Sequence, residues 1–289
     1  MNKMIKWHFS LMLKRPHFKI SFTIMILLSM LNNIYAVSGK YSGGFSRMVD
    51  KYFAYPFFNG NPFLALLYII IPIIITFSFC TIDYENYRNN MSPIIKSRTS
   101  ASKYYISQSI VCFIASTLVT VIPLTFGFVY NLLFLNHSMN SFNGNRLYVW
   151  LFQNSSKLYV NEMSNPYTMI FPKLFFEHPT VYVLLYILFI GVFFGLCGIF
   201  CYSISLKINK SSVLAALPLE IIFIFGLIQK NSFENNGRRF MINLNIIDYF
   251  TINSAPGKDL IFITLFIVAI TIISIFLIYT QVSRDQFER

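Results

Sequence analysis

Six long apolar runs constrain this chain more than any other feature of its sequence. They lie at 20–36, 63–82, 105–135, 180–206, 213–228 and 260–282. A helix needs about 20 apolar residues to cross the hydrocarbon core of a bilayer, with a range of roughly 17 to 25. Runs such as LALLYIIIPIIITFSFC do not alternate in polarity, which argues against a membrane barrel. The sequence therefore predicts an all-α polytopic membrane protein with six transmembrane helices in a single domain.

The first 15 residues predict an amphipathic helix ahead of the first span. A polar stripe recurs there at spacings of three and four residues and consists of Lys3, Lys6, Ser10 and Lys14. Trp7 and other large apolar residues cover the rest of the helix, and Pro16 ends it. Helices with bases on one face and Trp, Phe and Leu elsewhere lie flat in the headgroup layer. We expect an interfacial helix over 1–15, anchored by Trp7 and the three lysines.

The distribution of basic residues predicts which loops face the cytoplasm. Four segments together hold 13 Lys and Arg in 54 residues: 1–19, 83–104, 207–212 and 283–289. The segments on the other side of the spans, 37–62, 136–179 and 229–259, hold 10 in 101 residues. Basic loops stay on the cytoplasmic side. Both termini are therefore predicted in the cytoplasm. The sparse charge and the abundance of Asn, Ile, Phe and Tyr suggest an AT-rich bacterial genome. We attribute the net charge of +12 to the orientation of the chain in the membrane. Nucleic-acid binding explains it poorly, because no single patch concentrates the basic residues.

The motifs of common catalytic sites are absent from the sequence. There is no G-x-x-x-x-G-K-[ST] string for ATP and no H-E-x-x-H pair for zinc. All four cysteines fall inside predicted spans, where we interpret them as packing residues: Cys80, Cys112, Cys197 and Cys201. We expect neither enzymatic activity, nor a cofactor, nor a metal on this chain. The run GVFFG at 191–195 predicts instead a close helix contact, which Gly198 extends.

Glu220 is the one ionisable residue inside a predicted span. A carboxyl group at membrane depth is costly, so it usually faces the interior of the helix bundle or a wet cavity. Three interpretations are open. Glu220 lines a cavity or translocation path, or it is a protonated or hydrogen-bonded packing residue, or the depth of this short span is misjudged.

Residues 83–109, DYENYRNNMSPIIKSRTSASKYYISQS, carry both signs of charge between the second and third apolar runs. A turn between two spans does not need two acids, four bases and a row of hydroxyl residues. Taken alone, the segment is either a docking surface for a soluble protein or a solvated turn with cytoplasmic bases.

This segment resembles the first cytoplasmic loop of the ABC-2 type permeases, the membrane subunits of one class of ABC exporter. That family often has an acid soon after the second span, then a small residue, Arg and a hydroxyl residue, then a Tyr before the third span. Here Glu85, the SRTS of 97–100, and Tyr104 or Tyr105 correspond to these elements. The family often has a Lys early in the third span, where this chain has Gln108. The layout of N-terminal helix, six spans, short second inner loop and large outer loops is also similar.

The resemblance implies a permease subunit that moves a cargo outward, using a separate P-loop ATPase subunit that carries the ATP and Mg²⁺. A second permease chain, identical or related, would complete the path through the lipid membrane. Segments 83–104 and 207–212 would contact the ATPase. The residues implied in that coupling are Glu85, Arg88, Lys96, Ser97, Arg98, Tyr104, Lys207 and Lys210. The aromatic outer loops suggest an amphipathic cargo: a peptide, an antibiotic or a lipid-linked molecule.

The alternative is a six-span membrane protein that works without an ATPase, such as an immunity factor or a signalling scaffold. It would share the topology and need no docking surface. A membrane enzyme acting on lipid would need an acid–base constellation at one depth, and only Glu220 is present in a predicted span.

Overall fold

The computed structural model describes residues 2–37, 62–88, 95, 99–134, 174, 178–208, 213–229, 246 and 260–287. Within these residues the regular structure is entirely helical and contains no strand, which confirms the predicted helical class. The outer loops and the middle of the 83–109 segment lie outside the described residues.

The described part of the chain forms eight α-helices, one π-helix and one short 3₁₀ helix. They are α1 (Asn2–Lys14), α2 (Pro16–Val37), α3 (Pro62–Ile75), the π-helix (Thr76–Cys80), α4 (Ile82–Arg88), α5 (Ala101–Phe134), α6 (Pro179–Ser205), the 3₁₀ helix (Val213–Ala215), α7 (Leu217–Gln229) and α8 (Leu260–Phe287). Pro16 and Pro179 stand at the first positions of α2 and α6, where proline has no hydrogen bond to lose.

Four of the described helices are long and apolar enough to cross a membrane. The candidate spans are Pro16–Ile34, Ala101–Leu133, Pro179–Ser205 and Phe262–Asp285, and they match the first, third, fourth and sixth apolar runs. The second run forms α3 and the π-helix, whose apolar part Ile69–Cys80 is shorter. The fifth run forms the 3₁₀ helix and the 13 residues of α7. The structure thus shows four candidate spans, and the six-span topology stays a prediction.

Helix α5 is the central element of the described bundle. Its most extensive contact is with α6, and it also contacts α1, α2 and the π-helix. Small residues bring α5 and α6 together, because a Cβ atom at Gly195 would lie 2.7 Å from the Phe113 ring. One added at Gly198 would lie 2.7 Å from the Cβ of Ser116. The close contact predicted from GVFFG and Gly198 is therefore present, and its partner is α5.

The π-helix is buried in the bundle, and side chains satisfy several of its polar groups. Thr76 Oγ1 donates a hydrogen bond to the Pro72 carbonyl at 2.7 Å. Cys80 Sγ lies 3.2 Å from the Gly198 carbonyl of α6, and Ser205 Oγ of α6 donates to the Cys80 carbonyl at 2.9 Å. The two bonds of Cys80 join the π-helix, and with it the end of α3, to α6.

Several helix ends meet at one side of the bundle, which we call the α4 end. It comprises α1, the first turn of α2, the π-helix, α4, the first turns of α5, the last turns of α6 with the adjoining Lys207, and the last turns of α8. All of these segments lie on the cytoplasmic side of the predicted topology. At the opposite end, Asn33 of α2 donates a hydrogen bond to the Gly127 carbonyl of α5 at 2.9 Å. The bundle is thus joined by polar contacts at both ends, with apolar packing between them.

Candidate functional site

An ion pair between α4 and the α1–α2 junction lies at the centre of the α4 end. Arg15 Nη1 is 2.9 Å from Glu85 Oε2, and the two side chains are 16% and 29% exposed. Thr81 Oγ1 donates to Glu85 Oε1 at 3.2 Å, and His17 Nε2 is 4.0 Å from the same oxygen. Burial lowers the pKa of Arg15, and the Glu85 carboxylate opposes that shift. The pair therefore compensates a guanidinium group that is largely out of water.

A second set of bonds joins α4 to the start of α5. Tyr104 is fully buried, and its hydroxyl donates to Asp83 Oδ1 at 3.0 Å. Asn86 Nδ2 donates to the same hydroxyl at 3.2 Å. Asp83 and Asn86 are three residues apart, so they lie on one face of α4. The phenol is thereby satisfied both as donor and as acceptor, which a buried hydroxyl requires.

A third set of bonds links the ends of α5, α8 and α6. Tyr105 donates to Asp285 Oδ2 at 2.6 Å, and Gln281 Nε2 donates to Asp285 Oδ1 at 3.2 Å. Lys207, just beyond α6, donates from Nζ to Gln281 Oε1 at 3.3 Å. Since Tyr105 follows Tyr104 directly, the bonds from α4 continue through α5 to the C-terminal turns of α8.

His8 is buried between α1 and the bundle without a hydrogen bond. Neither ring nitrogen has a partner among the described residues, and the ring packs edge-on against Tyr104 with centroids 5.6 Å apart. Burial lowers the pKa of His8 to about 4, and the nearby Arg15 charge acts in the same direction. His8 is therefore neutral when α1 is docked, since its protonation next to Arg15 would place two cations in a desolvated space.

Three of the predicted coupling residues belong to this network: Glu85, Tyr104 and Lys207. Glu85 pairs with Arg15, and Tyr104 is buried under α4, so neither side chain projects freely from the surface. Lys207 is exposed and bonded to Gln281. Arg88 ends α4, but its side chain is outside the described part. The remaining predicted coupling residues are also outside the described residues: Lys96, Ser97, Arg98 and Lys210.

The predicted anchoring residues of α1 are all on its outer side. Lys3, Lys6, Lys14 and Trp7 are exposed, while His8 and Met12 on the opposite side are fully buried. The apolar face of α1 therefore packs largely against the bundle. Its placement in a headgroup layer stays a prediction.

Glu220 occupies the first turn of α7 rather than the middle of a long helix. Its side chain is buried, and Oε2 has no hydrogen-bond partner in the described part of the chain. The N-terminus of a helix favours a carboxylate, which reduces the cost of burying this one. A role for Glu220 in a translocation path stays a prediction.

Sequence reasoning missed most partners in the network. Arg15, Asp83, Asn86 and Asp285 were not among the predicted site residues, although Asp83 and Asn86 fall in the charged segment. Gln108, noted as a departure from the family pattern, accepts a hydrogen bond from Tyr202 at 2.6 Å. A polar side chain one or two turns inside an apolar run is the signal that could have found Gln108. Arg15 and Asp285 carry no such local signal.

The polar side chains of the α4 end bond the ends of neighbouring helices to one another. Its acids and phenols bond to one another, and no group of three or more potential metal ligands occurs among the described residues. Comparison with protein-family models, curated proteins and solved structures gives no match. The family assignment from the sequence therefore stays a prediction, and the function is argued from these contacts.

Proposed function

We propose that this chain is the membrane permease subunit of an ABC exporter and works with a separate P-loop ATPase subunit. The observation that carries the proposal is the bonding of α4. This helix begins the segment predicted to contact the ATPase, and its side chains bond to both the α1–α2 junction and the start of α5. A solvated turn between two spans would need no such connections.

The contacts of α4 give a route for force between the ATPase and the spans. A displacement of α4 acts on α2 through Arg15 and on α5 through Tyr104. The neighbouring bond of Tyr105 to Asp285 carries it on to α8. Because α5 and α6 are packed at van der Waals distance along their small residues, we expect them to move as one body. Nucleotide on the partner subunit would supply the free energy for this movement.

The remaining parts of the proposal follow the sequence prediction. The chain would have six spans with both termini in the cytoplasm of a bacterium, and two permease chains would enclose the path. The cargo would be amphipathic, and Glu220 would lie beside its route. With Glu85 engaged inside the network, we expect Arg98 and its neighbours to make most of the direct contact with the ATPase.

Co-purification from the native cell in mild detergent, followed by mass spectrometry, tests this function. We expect a P-loop ATPase to accompany the chain and to be lost in Arg98→Glu. Lys19→Glu is the matched control, because it reverses an exposed charge on α2 outside the coupling segment. Recovery of the chain without an ATPase would contradict the proposal and favour an immunity factor or scaffold. An equal loss of the co-purified ATPase in Arg98→Glu and Lys19→Glu would contradict the role of the coupling segment.

A further inference from the structure

The acidic residues and the lysines at the α4 end face in different directions. Asp83, Glu85 and Asp285 all bond inward to α5 or Arg15. Six lysines at this end are exposed, and none of them has an ion pair within the described part of the chain: Lys3, Lys6, Lys14, Lys19, Lys103 and Lys207. The acids are thus used to hold the helices together, and the outward surface at this end is left basic.

The outer side of α1 combines these lysines with large apolar side chains. Its exposed residues recur at spacings of three and four and are Lys3, Lys6, Trp7, Ser10, Leu13 and Lys14; we call them the α1 outer face. On a helix of 3.6 residues per turn the lysines fall in the middle of this face. Trp7, 39% exposed, and Leu13, 46% exposed, fall at its two edges.

We propose that the α1 outer face binds the headgroups of anionic lipids. Lysines attract the lipid phosphate groups, and Trp7 and Leu13 enter the boundary between headgroups and acyl chains. The face also lies directly before the candidate span that starts at Pro16, which places it at the level of the bilayer surface. An acidic protein would satisfy the lysines equally, but the apolar edges beside the start of a span favour lipid. The inference rests on the membrane location contained in the proposed function.

Trp7 provides a direct test, because the chain has two Trp and Trp150→Phe leaves Trp7 as the only one. The full chain is placed in lipid nanodiscs that contain equal parts of phosphatidylglycerol and phosphatidylcholine. Two preparations are compared: in one the acyl chains of phosphatidylglycerol carry bromine, and in the other those of phosphatidylcholine do. Bromine quenches Trp fluorescence at contact. We expect brominated phosphatidylglycerol to quench Trp7 about three- to fivefold more strongly, since each lysine near an anionic surface contributes on that scale.

Charge variants separate a site on α1 from the net charge of the chain. Replacing Lys3, Lys6 and Lys14 by Gln should equalise quenching by the two lipids, and replacing them by Arg should preserve the preference. The matched control removes the same charge elsewhere at the α4 end, by Gln at Lys19, Lys103 and Lys207, and should also preserve it. Added salt should weaken the preference.

Three results would overturn the inference while leaving the proposed function intact. Equal quenching of unmodified α1 by both lipids would remove the preference for anionic headgroups, and equal loss in both sets of Gln variants would remove the site. Absence of quenching by either lipid would show that Trp7 does not meet the bilayer. Failure of the full chain to enter nanodiscs at all would instead overturn the membrane location and the proposed function with it.

Discussion

Replacing Glu85 by Gln should destabilise the docked arrangement of α1 and α4 more than replacing Arg15 by Gln. The Glu85→Gln change leaves a guanidinium that is only 16% exposed, with the Phe79 ring 5.7 Å away as its remaining described partner. The Arg15→Gln change leaves a carboxylate that is 29% exposed and still accepts a bond from Thr81. An uncompensated charge costs more where water reaches it less.

The magnitude follows from the distance and the exposure of the pair. Two unit charges 2.9 Å apart attract by about 6 kcal/mol at an effective dielectric constant of about 20. Desolvation of both groups offsets most of that attraction, and residual water screens the rest, whereas fully exposed pairs retain only about 0.2–1 kcal/mol. We therefore expect a coupling free energy of about 1.5 kcal/mol between Arg15 and Glu85, which corresponds to roughly a tenfold change in an equilibrium constant.

A double-mutant cycle measures this coupling. The free energy of unfolding is determined by reversible denaturation in mixed micelles for the unmodified chain, Arg15→Gln, Glu85→Gln and the double variant. Lys19→Gln serves as a surface control and should change it by less than about 0.5 kcal/mol. A coupling below about 0.3 kcal/mol, or a larger loss in Arg15→Gln than in Glu85→Gln, would refute the assignment of the pair as the joint between α1 and α4.

Three further predictions concern the helix contacts and use the same measurement of unfolding free energy. Gly198→Ala should cost about 1–3 kcal/mol because its methyl group would overlap a facing α5 side chain, and the exposed Val192→Ala should change little. Tyr105→Phe should cost about 1–2 kcal/mol, since it removes the hydrogen bond to Asp285. His8 has a pKa lowered to about 4 in the docked state. The stability that neutral His8 contributes to the free energy of unfolding is therefore complete above about pH 6.5 and is lost as pH falls toward 4, by up to about 3 kcal/mol. His8→Phe should remove this acid dependence.

The positions of the long helices could be predicted from the sequence because an apolar run in lipid has to satisfy its backbone within one segment. The run 105–135 predicts α5, which spans Ala101–Phe134. The first turn of α5 lies outside that apolar run, because Ser102 and Lys103 are polar. The backbone N–H of Tyr104 nevertheless bonds to the Ser100 carbonyl, so the helix extends past the apolar run. The sequence analysis did not predict the π-helix, and its bonds to α6 join residues more than 100 positions apart.

The contacts of the α4 end were less predictable than its location. Glu85 and Tyr104 both fall in the charged segment 83–109, and the family resemblance of that segment singles out both of them. Asp285 is 180 residues from Tyr105, and which acid pairs with which phenol depends on how the helices pack. The pattern on α1 predicted which lysines are exposed, but not that Arg15 and His8 turn inward against the bundle. Pairing between distant segments is a tertiary property, whereas exposure along one helix follows from its period.

The two faces of α1 give a physical reason for the charge arrangement at this end of the molecule. Arg15, directly after α1, bonds to α4, while the lysines on the outer side of α1 are exposed. A displacement of α4 therefore pulls on a helix whose other face is attracted to lipid phosphate. Because that attraction holds α1 in place, neutralising the outer lysines should lower the stability of the docked α1 and α4, although the Arg15–Glu85 pair is unchanged. Stability lost in those variants would then depend on anionic lipid, whereas stability lost in Glu85→Gln would be the same in any lipid.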